Sequence, residues 1–332
     1  MSILTISGSP HVQANESVDK IMYGVVFSLI PAALVSFYFF GLPAILVTIT
    51  AVASCMLFEF IIQKYLLKGP VTVNDGSAMI TGILLAFIVP ASLPLWMVVI
   101  GSLVSIGMGK MTFGGLGKNV FNPALVGRVF LMISFPVDMN MYPEPTSLST
   151  KLTDVVTGPT PLAIVKEGAG QGENVSELVT QVPEYTSMLM GNMGGSIGEI
   201  SALAILLGGL YMLFKKIIRW EVPVAYIGSF AVLAAILWQV DPQSYANPLF
   251  HLITGGLMLG AIYMATDMVT SPMSSMGMIV YGIGCGFLTI IIRTFGAYPE
   301  GVAFAILIMN AFVPLINKGF KPKRFGEEVK NG

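Results

Sequence analysis

The chain has 332 residues, 55% of them hydrophobic and only 11% charged, with a net charge of −1 and a mean hydropathy of +0.80. Soluble domains carry about 25% charged residues, so this composition points to an integral membrane protein, and the absence of a basic excess excludes a nucleic-acid partner. Two cysteines, Cys55 and Cys285, both inside apolar runs, exclude a four-thiolate iron–sulfur cluster held by this chain alone.

A bilayer core of roughly 30 Å takes about 20 apolar residues per helix. The apolar runs are continuous and lack period-two alternation, which predicts an all-α membrane protein and not a barrel. In chain order, residues 1–20 form a polar N-terminal arm containing His11, and its pattern is not that of a cleaved signal peptide. Five spans are predicted within residues 21–135: Ile21–Phe40, Leu42–Ile62, Ser77–Pro90, Leu95–Met108 and Val120–Phe135. A long acidic loop, residues 136–195, follows. Five further spans are predicted within residues 196–317: Ile200–Phe214, Val222–Val240, Leu252–Ala265, Met276–Phe295 and Val302–Ile316. Residues 318–332 form a basic tail.

Lysine and arginine set the orientation. With the N-terminus inside, thirteen of them fall on cytoplasmic segments, Lys110 among them, and only Lys151 and Lys166 fall outside. Both termini are therefore expected in the cytoplasm, and the 136–195 loop outside it. Ile80-Thr81-Gly82 reappears as Ile253-Thr254-Gly255, and Phe113-Gly114 as Phe295-Gly296. Five spans per half would make the two copies inverted, and short Gly- or Pro-interrupted spans in matching positions point to a site at the repeat interface.

Several polar groups stand out. Asn119 and Asn122 open the fifth span three residues apart, a spacing that shares one helical face; they suit a helix cap or hydrogen bonds to a flat heterocycle. Arg128 lies two turns deeper, where an arginine is expected to face an acidic partner or an anionic cofactor group. In the long loop, Thr157-Gly158-Pro159-Thr160 reads as a turn whose Thr160 hydroxyl has little structural work to do and is open to attachment. Ser196 and Glu199 fit a capping box for the sixth span, with glycines around them for close approach. Asp267 and Thr270, before Pro272, suit a cation, a cofactor hydroxyl or a plain turn.

Taken in order, these motifs resemble the D subunits of the Rnf ion-translocating oxidoreductases, and more distantly the B subunits of sodium-pumping NADH:quinone reductases. The resemblance runs nearly end to end. It is carried by Ser9-Pro10-His11, Asp75-Gly76-Ser77, the Gly117–Ala124 stretch, Asp154–Leu162, Gly194–Glu199, Ala265–Pro272 and Arg293–Gly301. It implies FMN esterified through its phosphate to Thr160, with Pro159 in the place usually held by alanine. It also implies a noncovalent riboflavin inside the bundle, for which Asn119, Asn122, Asp267 and Thr270 are the candidates. The implied function is a flavin-carrying, electron-transfer subunit of an inner-membrane complex that couples ferredoxin:NAD oxidoreduction to Na+ or H+ translocation. The implied partners are the iron–sulfur and second flavin subunits, a flavin transferase and the bilayer. A rival reading of the same architecture is a solute channel, similar to urea transporters, without a redox role.

Overall fold

The computed structural model describes residues 17–146 and 157–321. The Ser9-Pro10-His11 motif, Asp154 and most of the basic tail lie outside the described residues. Among these residues the protein is a helical bundle with one two-residue strand pair, Tyr142–Pro143 against Thr157–Gly158. Five helices are long and apolar enough to cross a membrane, and three shorter apolar helices accompany them.

Helix α1 runs Val18–Ile61, 44 residues. A straight helix of that length would measure about 66 Å, twice a bilayer core. It is instead broken at Gly41, whose φ of 62° and ψ of −140° suit glycine. Both arms return to the same loop. Tyr23 donates to the Asn74 carbonyl at 3.4 Å near the start of α1, while Gln63, just past its end, bonds Thr72. The chain thus reverses at Gly41, and two predicted spans form one hairpin. Helix α2 (Ser77–Phe87), α3 (Leu95–Gly107) and α4 (Pro123–Ser134) complete the first half.

Helix α2 has only 11 residues and stops inside the protein, short of the predicted Pro90. The carbonyls at a helix end need partners. Here Gly198 N–H donates to the Phe87 carbonyl at 2.8 Å, and Ile197 N–H to that of Val89 at 3.2 Å. A Cβ on Gly198 would lie 2.4 Å from that of Phe87, so the contact requires glycine.

The stretch predicted as a polar loop is structured. It holds α5 (Pro136–Met139), α6 (Pro161–Gly170), α7 (Val175–Gln181) and α8 (Tyr185–Met190). Leu162, Val165, Val175, Leu178 and Met188 form a small core of their own with Phe250 and Ile253.

The second half comprises α9 (Ala202–Phe214), α10 (Glu221–Val240), α11 (Pro248–Ile253), α12 (Leu257–Leu259), α13 (Ser275–Phe295) and α14 (Val302–Gly319). Helix α12 continues into a wide turn, Gly260–Met264. The repeated Ile-Thr-Gly adopts two conformations: Gly82 lies within α2, whereas Gly255 has φ +68° at the break between α11 and α12. The halves meet closely where Tyr263 donates to the Ser28 carbonyl at 2.9 Å. A Cβ on Gly208 would come within 2.0 Å of both of those oxygens.

Candidate functional site

Polar groups gather at two places. The first is the start of α4. Asn122 is its N-cap, its Oδ1 accepting from Ala124 N–H at 3.1 Å, with Pro123 in the first turn. Its Nδ2 donates across to the Met264 carbonyl at 3.3 Å. Asn119 does not share a helical face with it, contrary to the spacing argument. It lies in the turn before α4 and donates to the Phe121 carbonyl at 3.1 Å.

Asn119, Asn122 and Asp267 nevertheless line one cavity. The remainder of its wall is largely apolar, from α1, α2, α9, Tyr263 and residues 266–269. Thr270 does not line it. Its hydroxyl donates to Asp267 Oδ2 at 3.1 Å and so steadies that carboxylate from behind.

Lys110 also lines this cavity. Sequence reasoning counted it with the cytoplasmic flanks; the structure buries it at 2% exposure. Its Nζ donates to Glu59 Oε2 at 2.7 Å, to Glu59 Oε1 at 2.8 Å and to Ser77 Oγ at 2.6 Å. Gln63 adds a donor to Glu59 at 3.0 Å. A glutamate within the predicted span Leu42–Ile62 was the available signal, because an intramembrane carboxylate needs a partner.

The second place is the Thr160 end. Thr160 is buried and structurally engaged: its Oγ1 is the N-cap of α6, accepting from Ala163 N–H at 3.2 Å. The expectation of a hydroxyl with little structural work is thus corrected. Pro159 is exposed and lies outside the Thr157–Gly158 strand, so its missing N–H costs no ladder bond. Thr160 borders a pocket of about 240 Å3 together with Gly194, Gly195, Glu199, Gly255 and Glu300.

Behind that pocket Arg128 is held by Glu199, at 3.0 Å from Nη1, and by Glu300 on Nη2. All three are buried. Glu199 therefore serves this pair and closes no capping box; α9 starts later and is capped by Ser201, which accepts from Ala204 N–H at 3.2 Å. Next to α6 lies a larger cavity of about 750 Å3, lined by Leu162, Lys166, His251 and Arg293. Leu162 borders both spaces.

Ligand sites enclose about 300–1,000 Å3, mostly apolar with a few placed polar groups. The Asn122 cavity matches that mix of apolar wall and placed polar groups. The Thr160 pocket alone is too small for an isoalloxazine ring. The cavity on the other side of Leu162 is larger, and the cations lining it suit a phosphate.

A family model described as the NQR2, RnfD, RnfE family matches residues 5–326. The D subunit of the proton-translocating ferredoxin:NAD(+) oxidoreductase complex of Clostridium ljungdahlii is 44% identical over 325 residues, covering 98% of this chain and 97% of that relative. The D subunit of the Na(+)-translocating ferredoxin:NAD(+) oxidoreductase complex of Acetobacterium woodii is also 44% identical, covering 97% and 95%. The D subunit of an ion-translocating oxidoreductase complex of Stutzerimonas stutzeri is 40% identical, covering 95% and 94%. With the match spanning the α4 start, the Thr160 loop and the Arg293–Glu300 turn alike, the chain belongs to the NQR2, RnfD, RnfE family.

Proposed function

We propose that this chain is the flavin-carrying, electron-transfer subunit of a membrane complex coupling ferredoxin:NAD oxidoreduction to Na+ or H+ translocation. The names and near full-length coverage of its relatives support the complex. The observation that carries the flavin is the α4 cavity, where Asn119 and Asn122 meet Asp267, which is far from them in sequence. Asn122 and Asn119 present amide donors and acceptors to the edge of a riboflavin ring, and the Asp267 carboxylate accepts from its hydroxyls. Thr160 carries FMN as a phosphoester, attached by a flavin transferase. A bound flavin supplies one- and two-electron chemistry, while the protein sets its position and its surroundings. Among the described residues no group of His, Cys, Asp and Glu could hold a metal ion. With two cysteines, no Cys-x-x-Cys and no dinucleotide fingerprint in the sequence, the iron–sulfur and nucleotide steps are assigned to partner subunits.

In this reading the apolar segments make ten crossings of the cytoplasmic membrane, as two inverted five-helix repeats. The α1 hairpin supplies two crossings, and Pro248–Met264 makes one in spite of its break. Both termini face the cytoplasm and the Thr160 end faces out, in keeping with the lysine and arginine bias of the sequence.

The test is made on complex purified from cells that express the transferase. A denaturing gel under ultraviolet light should show a fluorescent band for this subunit, and the acid extract should contain riboflavin. A dark band together with a flavin-free extract would reject the reading in favour of a channel without redox role.

A further inference from the structure

Arg293 sits in the last turn of α13 at 2% exposure. One nitrogen is satisfied: Nη1 donates to the His251 carbonyl at 2.7 Å. The guanidinium also lies over the Phe230 ring, 5.2 Å from its centroid. Its Nε and Nη2 have no hydrogen-bond partner, and neither has the Nδ1 of neighbouring His251. A buried cation with open donors is costly unless something accepts from it. This chain supplies no such acceptor among its described residues. The carboxylates of Glu199 and Glu300 are taken by Arg128. The charges of Glu300 and Glu199 reach Arg293 through space without a hydrogen bond, and another cation, Lys166, lies nearby, its Nζ holding the carbonyls of Gly296 and Tyr298 at 2.6 and 2.7 Å. Partial burial and the charge of Arg293 hold the Lys166 ammonium below its usual pKa.

Arg293 and Lys166 line the cavity of about 750 Å3 beside α6. Arg293 also reaches the wall of the Thr160 pocket: a Cβ on Gly255, which borders that pocket, would lie 2.8 Å from Nη2 and 3.2 Å from Leu162 Cδ2. Two cations, one of them with two unpartnered nitrogens, call for a compact anion with several acceptor oxygens, and a guanidinium matches a phosphate in shape and donor spacing.

We propose that Arg293, with Lys166 beside it, binds a phosphate group at the Thr160 end of the bundle. The phosphate has two sources to be told apart: the diester that would join FMN to Thr160, which rests on the reading above, or a free phosphate, which does not.

The experiment uses the purified complex and phosphorus NMR alongside in-gel flavin fluorescence. If the diester is the source, Arg293→Gln should keep the fluorescent band but shift the diester resonance, and Arg293→Lys should move it back towards wild type. If the source is free phosphate, the diester resonance stays put. Added inorganic phosphate should then broaden with Thr160→Val complex and lose that broadening in Thr160→Val/Arg293→Gln. A wild-type band that is dark removes the flavin reading and leaves only the inorganic-phosphate arm to decide. Should Arg293→Gln fail to assemble, Lys166→Gln carries the same measurements. A diester resonance and an inorganic-phosphate linewidth that both ignore these substitutions would overturn the proposal.

Discussion

At the Asn122 end, Lys110 faces a single carboxylate, and the ammonium's three bonds are complete: two to Glu59 and one to Ser77. At the Thr160 end, Arg128 faces two carboxylates, and a second arginine close by keeps two nitrogens open. Both ends bury charge. The first is closed on itself and forms part of the wall of a largely apolar cavity; the second leaves two Arg293 nitrogens without a partner. A saturated ion pair reads as structure, because its polar groups already have partners. An unsaturated one implies a group that the chain itself does not contain.

Removing the central cation at each end should expose this difference. Arg128→Ala would leave Glu199 and Glu300 buried without a partner, and losing one partner of a buried pair costs about 3–5 kcal/mol. We expect the upper part of that range, or failure to assemble, measured by thermal unfolding of the detergent-solubilised protein. Lys110→Met leaves one carboxylate that keeps its Gln63 donor, so it should fall at about 3 kcal/mol. Lys110→Met with Glu59→Gln should recover most of that loss, because replacing a buried pair with neutral groups is often near-neutral. A Lys110→Met melting temperature as low as that of Arg128→Ala would contradict the distinction between the two ends.

Thr160→Val tests the unsaturated end on two scales. It should abolish the covalent flavin band entirely. It should also cost about 1 kcal/mol of stability, as the loss of an N-cap usually does, while membrane insertion is retained. Thr160→Ser should keep the cap and the band. A band that survives in Thr160→Val would mean that another residue carries the flavin.

The all-α class, the apolar segments and the need of Arg128 for an acidic partner could all be read from sequence, because hydropathy and buried charge are local signals. So was the cap of α4: an N-cap residue before proline recurs at Asn122-Pro123, Thr160-Pro161 and Asn247-Pro248, and all three start helices. The same signature, applied to Thr160, would have revealed its structural role. Helix α7 was legible in the same sense, since Val175 and Leu178 follow helical spacing. What could not be read locally is which distant group meets which. Gly198 ends α2 from more than a hundred residues away, Lys110 reaches back to Glu59, and Arg293 comes to stand at Gly255. Those pairings depend on the closed bundle, and nothing near them in sequence announces them.

The finest comparison lies within the asparagine pair, which sequence reasoning treated as equivalent. Asn122 caps α4 and ties it to Met264, so Asn122→Ala should lower both stability, by about 1 kcal/mol, and the riboflavin recovered in the acid extract. Asn119 caps nothing; its one protein bond lies within its own turn. Asn119→Ala should therefore cost less than Asn122→Ala, about 0.5 kcal/mol for one local hydrogen bond, while still lowering riboflavin. That dissociation separates ligand contact from helix capping, since a purely structural asparagine would move the melting temperature and the flavin together. Unchanged riboflavin in both variants would reject the α4 cavity as the site. Unchanged riboflavin in Asn119→Ala alone would leave Asn122 acting through the helix start and not through the ring.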